Sequence, residues 1–225
     1  MNQQKQVKQN LARDGITLPL RVKEIFHSIQ GEGPYSGIAA TFIRLGGCNL
    51  QCTWCDTDYT TDVRDMLVKE ILDNTQYSLV VITGGEPFAQ NIKPLVEALL
   101  DKQHTVQVET NGTLSNPAFP WEEVTVVVSP KVSGLHKDVE RNAKCYKYVV
   151  SADDVYSKDG LPCKPTQKHA GIPARPMRMP VYTYVMPRDD KDDVKNTANM
   201  LTAANSAKSF GYILSLQMHK ILGVE

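Results

Sequence analysis

Short apolar runs alternate with stretches of helical periodicity along most of this 225-residue chain. Runs of strand character fall at residues 41–45, 79–83, 106–110, 124–129, 146–150 and 181–186. Several halt at a breaker: Gly46-Gly47, Gly84-Gly85, Asn111-Gly112 or Pro130. Between them, residues 63–74 and 92–103 predict helices, the second through Ile92, Leu95, Val96 and Leu99, and residues 190–205 predict a third, more polar one. Strands with little polar alternation suit a sheet covered on both faces, and the alternation of strands with helices implies βα units with parallel strands. Between Asn111 and Glu123, Pro117 and Pro120 leave room for a loop but hardly for a helix. The expected fold class is therefore α/β, an incomplete TIM-type βα barrel with mostly parallel strands, open on one side.

With 41% hydrophobic residues, the chain has enough apolar content for one substantial core, so residues 1–225 are expected to form a single domain. Residues 1–21 read as a polar N-terminal extension. Residues 151–180 carry five prolines and the basic, polar stretch Lys164-Pro165-Thr166-Gln167-Lys168-His169. They read as an inserted loop or lid, with a disordered insertion as the alternative. Lys plus Arg equals Asp plus Glu at 25 each, so no global field points to nucleic acid or to an anionic membrane, and a small molecule is the expected partner. No uninterrupted apolar stretch reaches membrane-spanning length.

Chemistry concentrates in Gly47-Cys48-Asn49-Leu50-Gln51-Cys52-Thr53-Trp54-Cys55-Asp56-Thr57, with three residues and then two between cysteines. Three thiolates are one too few for a closed site, whereas a 4Fe-4S cluster held by three leaves one iron open to a reacting ligand. A Cys3His zinc site completed by His27 or His219 is the competing reading. Five cysteines is an odd count and no apolar signal segment opens the chain, which fits thiols held reduced in a cytoplasm better than disulfides. Cys145 reads as a core residue and Cys163 as a loop thiol. In parallel α/β folds, reacting groups collect at the carboxyl ends of strands. The cysteine triplet, Gly84-Gly85-Glu86-Pro87, Glu109-Thr110-Asn111-Gly112, Ser129-Pro130-Lys131 and Met186-Pro187-Arg188-Asp189 each follow or end a predicted strand, so five strand ends converge on one mouth.

The cysteine spacing followed one strand later by Gly-Gly-Glu-Pro resembles the radical S-adenosylmethionine (SAM) enzymes. Further segments narrow the resemblance to the 7-carboxy-7-deazaguanine synthase family: Glu24-Ile25-Phe26-His27-Ser28-Ile29-Gln30-Gly31-Glu32-Gly33, Phe42-Ile43-Arg44-Leu45, Cys55-Asp56-Thr57, Ser129-Pro130-Lys131 and Gln217-Met218-His219-Lys220. The resemblance implies a radical SAM core, and conversion of 6-carboxytetrahydropterin to 7-carboxy-7-deazaguanine with loss of ammonia, on the way to nucleosides such as queuosine. It implies that Cys48, Cys52 and Cys55 hold the cluster and that SAM closes its fourth corner.

By the same resemblance SAM would lie against Thr53, Trp54, Asp56, Gly84, Gly85, Glu86, Asn111, Ser129, Pro130, Lys131, Met186, Pro187, Arg188 and Asp189. Gly84 and Gly85 would let backbone carbonyls approach the methionine ammonium, and Glu86 would be its anionic neighbour. Thr57 would hold Mg2+ bridging to the substrate. Ile29, Gln30, Gly31, Glu32, Arg44, Thr83, His219 and the main-chain carboxylate of Glu225 would contact the pterin. A reductant such as flavodoxin or ferredoxin and a homodimer are also implied, with no membrane and no direct nucleic-acid contact. Arg44, at the end of an apolar strand, calls for a carboxylate: the substrate's, or an internal Glu32 or Glu109. Two other functions stay open, an activating enzyme that generates a glycyl radical on a partner protein and a non-catalytic, metal-stabilised interaction module.

Overall fold

The computed structural model describes residues 18–168, 170–177 and 181–224. Its frame is one nine-stranded sheet in the order β3-β1-β2-β4-β5-β6-β7-β8-β9. The strands are β1 (Leu20–Ile29), β2 (Ala39–Leu45), β3 (Arg64–Met66), β4 (Leu79–Gly84), β5 (Thr105–Thr110), β6 (Thr125–Val128), β7 (Cys145–Val150), β8 (Tyr182–Pro187) and β9 (Ile213–Leu214). From β2 onward through β4 to β9 all neighbours pair parallel, while β1 runs antiparallel to both β2 and β3. The end strands β3 and β9 are not paired with each other, so the barrel is incomplete, as expected.

Helices α1 (Val68–Asp73), α2 (Lys93–Asp101), α3 (Lys137–Asn142), α4 (Asp193–Phe210) and α5 (Met218–Leu222) complete the chain. The main core lies between the sheet and its helices, where Ile43, Leu45, Val80, Ile82, Leu95 and Leu99 are fully buried. No helix joins β5 to β6, in keeping with Pro117 and Pro120; instead Phe119 and Trp121 pack on Phe88, with ring centroids 5.0 and 5.7 Å away.

Three expectations need correction. Residues 63–74 are not one helix, because Arg64–Met66 pairs with the edge of β1 and only Val68–Asp73 is helical. Helix α4 begins at Asp193 and runs on to Phe210. Asp192 caps it by accepting from Lys195 N–H, and Gly211 stops it with φ +73°. Asp190 lies outside it, gripping Arg188 Nε at 2.8 Å. The predicted strands did not include β1. Its in-out alternation is broken by a register shift between Val22 and Glu24, which moves the apolar positions to the opposite phase.

The second face of the sheet is the concave one. Low in the barrel it is mostly apolar: Ala40 packs with Leu79 and Val81, and Val127 with Cys145 and Tyr184, with the buried Gln107 beside Val81 as a polar exception that donates to Glu109. Cys145 is thus a core residue, as expected. Two residues further along several strands the same face turns polar, with Arg44 beside Thr83 and then Glu109, Ser129 and Lys147. The strand ends are thereby a polar mouth on an apolar floor.

Candidate active site

The mouth encloses a pocket of about 540 Å3, within the size range of small-molecule sites. Cys48, Cys52 and Cys55 all line it. Cys48 is buried and the other two are partly exposed. Burial pushes the Cys48 thiol up to about 12 against its bond from Leu50 N–H, and raises Cys55 as well.

Backbone contact holds this loop. Gly85 N–H donates to Leu45 O at 3.1 Å and Glu86 N–H to Gly47 O at 2.9 Å, extending the pairing of β2 with β4 past the strand ends. A Cβ on Gly85 would stand 1.9 Å from Gly47 O, and one on Gly84 (φ +126°) 2.3 Å from Leu45 O. The two glycines therefore lack side chains because the end of β2, at Leu45, and the backbone of Gly47 leading into the cysteine loop occupy that space.

Glu86 is corrected from its expected role as a neighbour of the methionine ammonium. It is fully buried behind the wall, and its oxygens accept from Phe88 N–H, Asn111 N–H and the Thr110 hydroxyl at 3.0, 2.7 and 2.6 Å. Burial raises it to about 7 despite these donors. Asn111 in turn donates to Asn49 Oδ1 at 3.0 Å, so Glu86 ties the end of β5 back to the cysteine loop.

Most of the remaining expected residues converge. Trp54, Asp56, Thr57, Gly84, Gly85, Asn111, Ser129, Lys131, Met186, Pro187, Arg188 and Asp189 line the pocket, as do Ile29, Gln30, Glu32, Arg44, Thr83 and His219. Three more do not. Thr53 faces outward and bonds to Thr166 O, and Pro130 lines a small neighbouring cleft with Thr166 and Pro173. Gly31 is buried against His219, whose Nδ1 lies 2.2 Å from where a Cβ would be, so it admits the α5 segment rather than a ligand. Glu225 and residues 1–17 lie outside the described residues.

A buried cation within the apolar run of β7 escaped the sequence reading. Lys147, 6% exposed, forms ion pairs with Glu32 and, at 3.6 Å, with Glu109. Gln217 Nε2 donates to Glu32 at 2.9 Å and Gln30 Nε2 to Glu109 at 3.2 Å. Burial alone would raise Glu32, but Lys147 and Gln217 overcome it and hold the carboxyl down at about 2. Burial pulls Lys147 down, yet Glu109 and Glu32 together drive it above its ordinary value. With both glutamates committed to Lys147, the internal partner of Arg44 is neither of those expected. Its Nε meets Glu24 at 2.6 Å, and its guanidinium lies 5.2 Å from the Phe26 ring centroid.

The donors test which groups fit. Soft sulfurs at the open mouth, bordered by the Gly84-Gly85 backbone, suit an iron–sulfur cluster with one corner free. Among the described residues no three His, Cys, Asp or Glu converge as they would on a single ion; of the two histidines considered for a Cys3His zinc site, His27 is turned to the Thr41 hydroxyl at 3.2 Å, and His219 lines the same pocket as the cysteines. Thr57 and Asp56 offer hard oxygens on the rim, 3.3 Å apart, a set that suits Mg2+ retaining waters.

Residues 42–128 match the model of the radical SAM superfamily. The chain is 41% identical to 7-carboxy-7-deazaguanine synthase of Rhodospirillum rubrum, over 91% of this chain and 92% of that protein. It is 37% identical to the enzyme of the same name from Rickettsia prowazekii, over 96% and 92%. The crystal structure of QueE from Escherichia coli superposes with a TM-score of 0.66 at 23% identity, covering 88% of this chain and 94% of that one, a likeness of fold.

Two substitutions and a control test this arrangement. Gly85→Ala is expected to lower the unfolding free energy by about 3 kcal/mol and to impair iron uptake, while Gly134→Ala, with nothing within 4 Å, leaves both unchanged. Lys147→Met strands two carboxylates and is expected to cost about 3–5 kcal/mol at pH 7 in denaturant titrations. Glu32 contributes above 4.5 and loses its contribution as pH falls through about 2; Lys147 contributes below 10.5. The deficit of the variant should therefore be full between those limits and shrink in acid; a deficit independent of pH would contradict the assignment.

Proposed function

Because the chain belongs to the 7-carboxy-7-deazaguanine synthase family of the radical SAM superfamily, we propose that it converts 6-carboxytetrahydropterin to 7-carboxy-7-deazaguanine and ammonia. The ring contraction expels ammonia and nothing else, so no net oxidant is consumed. The observation that carries this reading is that one pocket holds both the cysteine triplet and a set of groups matched to a carboxylated pterin.

Cys48, Cys52 and Cys55 would hold the cluster, which with SAM supplies the one-electron chemistry that activates the substrate. Arg44 would exchange its contact with the half-exposed Glu24 for the substrate carboxylate, a fork matched to two oxygens. Glu32 and Glu109, held by Lys147, present acceptors to the N–H edge of the pterin, and Gln30 and Thr83 line the same wall. His219, which burial pulls below its ordinary value, supplies a neutral ring at neutral pH. Thr57, with Asp56 beside it, would hold Mg2+, whose charge would favour the ionised carboxylate of the substrate. Lys131, 5.4 Å from the Trp54 ring centroid and bonded to Ser129 O at 3.0 Å, places a cation by the sulfurs. Trp54, Gly84, Gly85, Asn111, Ser129, Met186, Pro187, Arg188 and Asp189 would border SAM.

The product would enter a deazapurine pathway of the queuosine type. A low-potential flavodoxin or ferredoxin would supply the electron, the functional unit would be a homodimer, and the reaction would run in a cytoplasm, where thiols stay reduced. No helix among the described residues is long and apolar enough to cross a membrane.

Anaerobic incubation with carboxypterin, SAM, Mg2+ and a reductant should release ammonia and a deazaguanine acid in equal amounts; SAM cleavage without either product would refute the substrate. Arg44→Ala should weaken pterin binding by about 2 kcal/mol, roughly thirtyfold, with SAM affinity unchanged. Equal loss for both ligands would reassign Arg44 to the fold.

A further inference from the structure

The cysteine loop, residues 48–57, contains no helix or strand, so its backbone groups need partners from elsewhere. Two of them find these in the 151–180 segment. Thr53 N–H donates to Thr166 O at 3.0 Å, and Gln51 N–H to Gln167 Oε1 at 3.0 Å. Thr166 is 4% exposed, and its hydroxyl lies 2.8 Å from Lys131 O and 3.5 Å from Cys52 Sγ. One side chain thus touches a cysteine of the triplet and the loop after β6.

The segment is itself anchored. Arg175 grips Asp159 and donates to Pro162 O and Pro173 O; the Tyr148 hydroxyl donates to Ala174 O at 2.6 Å, Ser206 to Gly160 O at 2.6 Å and Tyr212 to Asp159 O at 2.7 Å. Ala174 N–H meets Val132 O at 2.8 Å and Ser133 N–H meets Ala170 O at 3.0 Å. These bonds reach β7, α4 and the loop after β6. None of the segment's described residues lines the main pocket; they lie behind the cysteine loop.

We propose that the described residues of the 151–180 segment form a strap that fixes the cysteine loop, and that Thr166 is a positioning residue whose hydroxyl hydrogen-bonds the Cys52 thiolate and raises the reduction potential of the cluster. This rests on reading the triplet as cluster ligands. A cysteine bound to iron has no proton to give, so at this distance the Thr166 hydroxyl becomes the donor, turning from Lys131 O to sulfur. Donation to a ligating sulfur withdraws electron density and favours the reduced cluster.

The test uses the full chain, reconstituted anaerobically, with two readouts that require no turnover: the rate of iron loss to a chelator and the cluster potential in an EPR-monitored redox titration. Thr166→Val should shed iron about tenfold faster and titrate at a more negative potential, and Thr166→Ser should restore both. Gln167→Ala should shed iron faster at an unchanged potential, because it holds the Gln51 backbone and no sulfur. A loaded Thr166→Val with parental potential and retention overturns the proposal alone. If that variant takes up no cluster, a Gln167→Ala protein that keeps its iron as long as the parent overturns the strap. A parent chain that binds no cluster overturns the proposal and the function together.

Discussion

The site depends on a backbone-to-backbone contact in which β2 and β4 stay paired beyond their own ends. Leu45 sits beside Gly84, then Gly85 N–H meets Leu45 O and Glu86 N–H meets Gly47 O. That closeness is open only to glycine, since a Cβ at Gly85 would overlap the Gly47 carbonyl. The cysteine loop is therefore registered against the next strand before any ligand arrives. Glu86 extends the lock by spending its carboxylate on the amides of Phe88 and Asn111 and on the Thr110 hydroxyl. Asn111 returns to Asn49, closing a circuit through three consecutive parallel strands. A carboxylate in this position serves the fold of the site more directly than it serves a ligand.

Charge within the mouth follows a similar economy. Burying Lys147 is tolerable only with Glu32 and Glu109 beside it, and burying those two carboxylates is tolerable only with Lys147. The result is a pre-set group of acceptors held by one ammonium, with Gln217 and Gln30 completing the bonds. Arg44 stands apart, paired with the half-exposed Glu24, and is the cation more easily recruited by an incoming carboxylate. A pocket that presents acceptors in one region and a guanidinium in another is polarised along the same sense as a carboxypterin.

Much of this was legible in the residues. A parallel strand buried on both faces must be an apolar run, so β4 through β8 declared themselves, and the breakers ending them located the mouth. The cysteine spacing identified the reactive wall. What escaped did so for physical reasons. The bulge at Val22/Glu24 broke the alternation of β1. Lys147 was concealed in an apolar run, because nothing in linear order shows that two distant glutamates will neutralise it. Gly31 and Glu86 matched a ligand-binding pattern, yet one makes room for His219 and the other caps backbone amides. Residues 151–180, rich in proline, could be read only as an inserted loop or lid, or as a disordered insertion; the partners of the described ones, among them Thr53, Lys131 and Val132, are set by tertiary contact.

The central claim is that three cysteines, and no fourth protein ligand, hold a cluster with one corner left for SAM. Its most direct test is the EPR spectrum of the anaerobically reduced protein before and after SAM is added, alongside its iron content. The account predicts about four irons per chain and a spectrum that changes on addition, with coupling to labelled methionine nitrogen. A spectrum indifferent to SAM, or a colourless protein carrying a single zinc, would contradict it.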